Sequence, residues 1–83
     1  MRVNILYFAS IRESLGIGSE VIQTQAKNVE ELRLELIGKG EPYAEALSLN
    51  RVLKTALNQE MCTPNTQLME GCELAFFPTV TGG

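Results

Sequence analysis

The chain has 83 residues, which is enough for one domain and not for two. With 45% hydrophobic and 20% charged residues it has the composition of an ordinary globular domain, and nearly every apolar residue is needed for one small core. The seven basic residues are scattered and the net charge is −3, which argues against nucleic-acid binding; the chain has no histidine and all ten acidic residues are glutamate, which excludes Ser-His-Asp and Cys-His catalysis within it.

Residues 2–8 read as a strand rich in β-branched and aromatic side chains. Val3, Ile5 and Tyr7 point one way and should face the core; Asn4, Leu6 and Phe8 point the other. Ser10 then opens a short helix, with Glu13 three residues later completing a capping-box pattern. Ile11 and Leu15 share one face of that helix, and Gly16 and Gly18 end it. Gly16-Ile17-Gly18 lacks the further Gly or Lys of a phosphate-binding loop. Val21 and Ile22 belong to a second short strand, joined to the first through the Ser10 helix.

Asn28 is a strong N-cap for the main helix, with Glu31 at the third helical position. Glu30 and Glu31 also complement the dipole at the helix start. Val29, Leu32 and Leu36 recur at helical spacing as the buried stripe, Leu34 falls on the opposite side, and Gly38 marks the stop. Pro42 suits the first position of a short helix containing Tyr43, Ala46 and Leu47. Residues 52–57 read as a strand, Asn58-Gln59 as a turn, and Met61 as the centre of a very short strand. Pro64, Asn65 and Thr66 mark a loop. Glu70-Gly71 is a turn before the last strand, residues 73–77, which Pro78 ends because it cannot continue a central ladder.

Cys62 and Cys72 have no paired CxxC spacing, so they are expected as free thiols that pack as small apolar groups, and no metal site is expected. No apolar run approaches the ~18 residues of a membrane span, and residues 1–8 are too short and too alternating for a signal peptide. The cytosol is the expected compartment, with no membrane partner.

This order of elements, with one dominant helix, describes an α+β domain in which the helix packs across one sheet face. The other face is then free for partners. The expected division is a folded domain over residues 1–78 and an extended tail, flexible in character, over residues 79–83. The tail, Thr79-Val80-Thr81-Gly82-Gly83, reaches at most ~17 Å, long enough to enter a deep site on another protein. Gly82 and Gly83 lack Cβ atoms, so this backbone can thread a narrow channel. The carboxylate of Gly83 is uncrowded; activated as an acyl-adenylate it becomes an electrophile that sulfur can attack to give a thiocarboxylate.

Three stretches carry a resemblance to a known family. They are Leu6-Tyr7-Phe8-Ala9-Ser10-Ile11-Arg12-Glu13, Ala56-Leu57-Asn58-Gln59, and the long run from Glu70 through Phe76-Phe77-Pro78 to Gly82-Gly83. Together they resemble the small subunits of molybdopterin synthase, which are ubiquitin-like β-grasp sulfur carriers. Two departures are Cys72, where an acidic residue is usual, and Thr79, where a second proline is usual. The second is expected to leave the start of the tail less rigid.

The resemblance implies a mixed β-grasp sheet and a cycle of reactions. An E1-like adenylating enzyme uses ATP and Mg²⁺ to activate Gly83, and a sulfurtransferase relay supplies sulfur. The thiocarboxylated tail, threaded through Val80, Thr81 and Gly82, enters the large synthase subunit and donates sulfur to cyclic pyranopterin monophosphate. No cofactor is held stably by the chain, and a heterotetramer with two large subunits is implied. In such a sheet the first and last strands are neighbours, so Phe8 and Phe77 form an exposed apolar patch beside the tail; the resemblance adds Met61 to it. A carrier for thiazole or another cofactor, and a ubiquitin-like modifier that forms amides through Gly83, remain as alternatives.

Overall fold

In the computed structural model, residues 1–79 are described. The alternation at the start of the chain forms β1 (Arg2–Tyr7), with Val3, Ile5 and Tyr7 fully buried. The chain then reverses within one residue. Ala9 takes φ 51°, a left-handed conformation that is costly for a residue with a Cβ, and α1 (Ala9–Leu15) begins there.

The expected Ser10 cap does not form: Phe8 occupies the N-cap position and no side chain caps the helix. Because the backbone has already turned at Ala9, Ser10 lies inside the first turn and not at the N-cap. The carbonyl of Phe8 instead accepts from the N–H groups of Ile11 and Arg12, at 3.1 and 3.4 Å. At the other end Gly16, at φ 78°, closes the helix with its N–H donating to the Arg12 carbonyl at 2.9 Å.

The second strand, β2 (Ser19–Gln23), pairs antiparallel with β1. The main helix, α2 (Val29–Ile37), starts as read: Asn28 Oδ1 accepts from the Glu31 N–H at 2.8 Å. Glu31 reaches back one residue further than a capping box requires and accepts from the Lys27 N–H at 2.8 Å. Val29, Leu32 and Leu36 are buried, and Leu34 is exposed. The short α3 (Tyr43–Ala46) has Pro42 at its N-cap, one position before the expected one.

A hairpin follows, built of β3 (Leu53–Leu57) and β4 (Glu60–Cys62). Its two turn residues, Asn58 and Gln59, both have positive φ, the geometry that matches the twist of the flanking strands. The last strand, β5 (Glu73–Pro78), lies between β1 and β3, parallel to the first and antiparallel to the second. Pro78 is its final residue, paired with Leu53.

The five strands run β2-β1-β5-β3-β4 in one mixed sheet. One face carries the core, where Val3, Ile5, Tyr7, Leu74 and Phe76 meet Val29, Leu32 and Leu36 of α2 and Ile11 of α1. Each such buried aliphatic or aromatic side chain contributes roughly 1.5–3 kcal/mol. Cys72 packs into this core and Cys62 against its edge, both as free thiols, with Cys62 Sγ 3.2 Å from Thr55 Oγ1.

One polar brace crosses the core margin. Glu20 Oε2 accepts from both Tyr7 and Tyr43 hydroxyls, each at 2.7 Å, tying β1, β2 and α3 together. Burial, then the hydrogen bond to Glu20, pushes Tyr43 up to about 12 and raises Tyr7 further above the ordinary phenol value.

Candidate functional site

The open face of the sheet presents the expected patch. Registering β1 with β5 places Tyr7 beside Phe76 on the core face. The following residues, Phe8 and Phe77, therefore meet on the open face, where their rings stack with centroids 4.7 Å apart and planes inclined by 7°. Phe8 is 38% exposed and Phe77 half-buried. Three backbone hydrogen bonds hold Phe8 in place: its N–H donates to the Phe76 carbonyl, and its carbonyl caps the two N–H groups of α1.

Met61 joins this patch through the hairpin. The two-residue turn sets Met61 opposite Ala56, and Ala56 in turn lies opposite Ala75. Paired residues share a face, so all three side chains emerge beside Leu6 and Phe77. Met61 is 64% exposed. A shallow depression of about 330 Å³ lies between Leu6, Phe8, Ala56, Met61, Ala75 and Phe77. Ala75 is buried even though it lies on the open face, because larger neighbours overhang it. The small residues at 56 and 75 thus form the floor of the depression, with aromatic and thioether walls. Strand alternation already sets Leu6 on the face of Phe8 and Ala75 on that of Phe77, but the cross-strand register was needed for Ala56.

The strand that carries Phe77 ends at Pro78, and the chain continues to Thr79. Thr79 Oγ1 donates to the Val52 carbonyl at 3.1 Å. The remaining expected site residues, Val80, Thr81, Gly82 and Gly83, lie outside the described residues, as does the flexible character expected of the tail.

A second depression, about 420 Å³, lies on the other side of the β3–β4 edge between Val29, Arg33, Leu49, Leu53 and Cys62. Of the two cationic residues that line it, Arg33 and Lys54, the first is committed to the backbone. Arg33 Nε donates to the Leu47 carbonyl, and its Nη2 to those of Ser48 and Arg51, so it braces the loop before β3. Among the described residues no group of three or more His, Cys, Asp or Glu side chains is placed to hold a metal. No helix among them is long and apolar enough to cross a membrane.

Among the described residues, the site is an apolar depression on the open sheet face, beside the end of β5 at Pro78. A mixed five-stranded sheet packed against one long helix is the ubiquitin-like β-grasp fold. A ThiS family model matches residues 5–83, and the chain belongs to that family.

Among curated relatives, it is 36% identical over 81 residues to the molybdopterin synthase sulfur carrier subunit of Haemophilus influenzae, covering 98% of this chain and 99% of that one. Among solved structures, it is similar to a chain from the complex of subunits 1 and 2 of the molybdopterin-converting factor of Helicobacter pylori. That match has 31% identity, full coverage of both chains and a TM-score of 0.68. SAMP1 from Haloferax volcanii shares the fold with a TM-score of 0.77 at 22% identity, again with full coverage of both chains.

Proposed function

We propose that this chain is the sulfur carrier subunit of a molybdopterin synthase. The observation that carries the reading is positional: Phe8 and Met61 flank Phe77 on the open face, and Phe77 lies on β5, the last strand before the Gly-Gly end of the sequence. A partner that grips this face receives the tail in its active site at the same time. The relatives' names supply the chemistry, since they are sulfur carrier subunits or a member of a two-subunit molybdopterin-converting factor.

In this reading an E1-like enzyme with ATP and Mg²⁺ converts the Gly83 carboxylate to an acyl-adenylate, releasing pyrophosphate. A sulfur nucleophile from a sulfurtransferase relay attacks the acyl carbon, AMP leaves, and a thiocarboxylate results. The loaded tail enters the large subunit and gives its sulfur to cyclic pyranopterin monophosphate, and two such transfers complete the dithiolene. Acid–base groups come from the partners, in keeping with a chain that has neither His nor Asp. The expected assembly is two copies of each subunit.

The direct test is a chain extended by one residue beyond Gly83. It should still dock onto the large subunit but support no sulfur transfer. Undiminished transfer by the extended chain would contradict the reading.

A further inference from the structure

The sequence raised the expectation that Thr79 loosens the start of the tail. The geometry points the other way. Pro78 has no N–H, so the backbone ladder between β3 and β5 loses a donor where it ends, at the Leu53–Pro78 pair. One position further on, the Thr79 hydroxyl donates to the Val52 carbonyl at 3.1 Å. The side chain thus carries the contact with the β3 segment one step past the Leu53–Pro78 pair. A β-branched residue makes this contact with little rotamer freedom to lose.

We propose that Thr79 is a positioning residue: its hydroxyl clips the root of the tail to Val52 and fixes the point from which Gly83 is delivered. This rests on the sulfur-carrier reading above and deepens it. With the root fixed at residue 79, the four residues beyond it reach at most ~14 Å. A fixed root confines the reactive carboxylate to a smaller volume around the partner's reacting atoms and raises its effective concentration there. A proline at this position would restrain the same root through its fixed φ. Thr79 does so through a hydrogen bond that a partner, or a single methyl-for-hydroxyl change, can remove.

The test uses the full chain with Thr79→Val, which keeps the shape and loses the donor, and Thr79→Ser, which keeps the donor. The carbonyl carbon resonance of Val52 should shift in Thr79→Val and stay in place in Thr79→Ser. Equilibrium affinity for the large subunit should be unchanged in both, because the docking face is untouched. The single-turnover rate of sulfur transfer at saturating large subunit should fall roughly threefold to tenfold in Thr79→Val, the range that one net hydrogen bond corresponds to, and recover in Thr79→Ser. An unchanged rate in Thr79→Val, an equal fall in both variants, or a loss explained wholly by weaker affinity overturns the positioning role. A parent chain that accepts no sulfur at all overturns the carrier reading itself, which an active parent with an indifferent Thr79→Val variant would leave standing.

Discussion

Phe8 and Phe77 stack on the open face of the β1–β5 pair, back to back with the Tyr7–Phe76 stack on the core face. Two consecutive aromatic positions, Tyr7-Phe8 at the end of β1 and Phe76-Phe77 in β5, thus serve different ends. The inner pair is sealed in the core, at 1% and 0% exposure, while the outer pair is held ready at the surface.

That division gives the first prediction. Phe77→Ala should weaken binding to the large synthase subunit by at least about tenfold, as expected for an aromatic anchor near the centre of an interface. Its cost to the fold should stay near the ~0.5–1.5 kcal/mol of an aromatic pair plus partial burial. Phe76→Ala should cost ~3–5 kcal/mol. Calorimetric titration and denaturant unfolding on both variants check this, and equal destabilisation by the two would contradict the division of roles.

The helix offers a sharper contrast within one turn. Leu32 is fully buried against the sheet, and Leu34 is exposed on the far side. Leu32→Ala should cost ~2–5 kcal/mol, and Leu34→Ala should lie within about 0.5 kcal/mol of the parent. Urea unfolding midpoints compare them directly.

Much of this was legible beforehand, for reasons that can be located. Val3, Ile5 and Tyr7 alternate along one strand, Leu74 and Phe76 along another, and Val29, Leu32 and Leu36 repeat along the helix. Each period is local, so no tertiary knowledge was needed to see which side is buried. Asn28 was legible because capping is also local. What was hidden depended on backbone geometry or on partners distant in sequence. Ser10 looked like a cap until Ala9 turned the chain one residue earlier. Met61 could not be assigned a face until the positive φ values of Asn58 and Gln59 fixed a two-residue turn. Thr79 meets Val52 across the sheet, 27 positions away, which no local pattern records.

Ala9 itself is testable. Its side chain is exposed, so ordinary reasoning would tolerate any small residue there. At φ 51° a β-branched residue is strained and glycine is not. Ala9→Val should therefore be less stable than Ala9→Gly by ~1–3 kcal/mol. It should also broaden the Phe8 ring resonances, because the same turn sets that ring on the open face. Equal stability of the two variants would show that the left-handed turn is not required.

The Glu20 brace predicts behaviour at high pH. Tyr7 and Tyr43 are the two tyrosines of the chain, and both ionise later in the folded state than the ordinary value near 10. A raised phenol value favours the folded chain in its protonated form. That contribution is complete below pH ~10 and is lost as the pH rises through about 12 and beyond. Phenolate absorbance should show neither tyrosine titrating at its ordinary value in the native protein, and unfolding midpoints should fall steeply above pH ~10. Tyr43→Phe should make that fall shallower, and an ordinary titration of both phenols would contradict the brace.

The most direct measurement is the intact mass of the chain after incubation with ATP, Mg²⁺, an adenylating enzyme of the E1-like class and a sulfur donor. The parent chain should gain the mass of one oxygen exchanged for sulfur, dependent on ATP, and a chain lacking Gly83 should gain none. A parent chain whose mass is unchanged under conditions that thiolate a known sulfur carrier subunit would contradict the assignment of Gly83 as the group that carries sulfur.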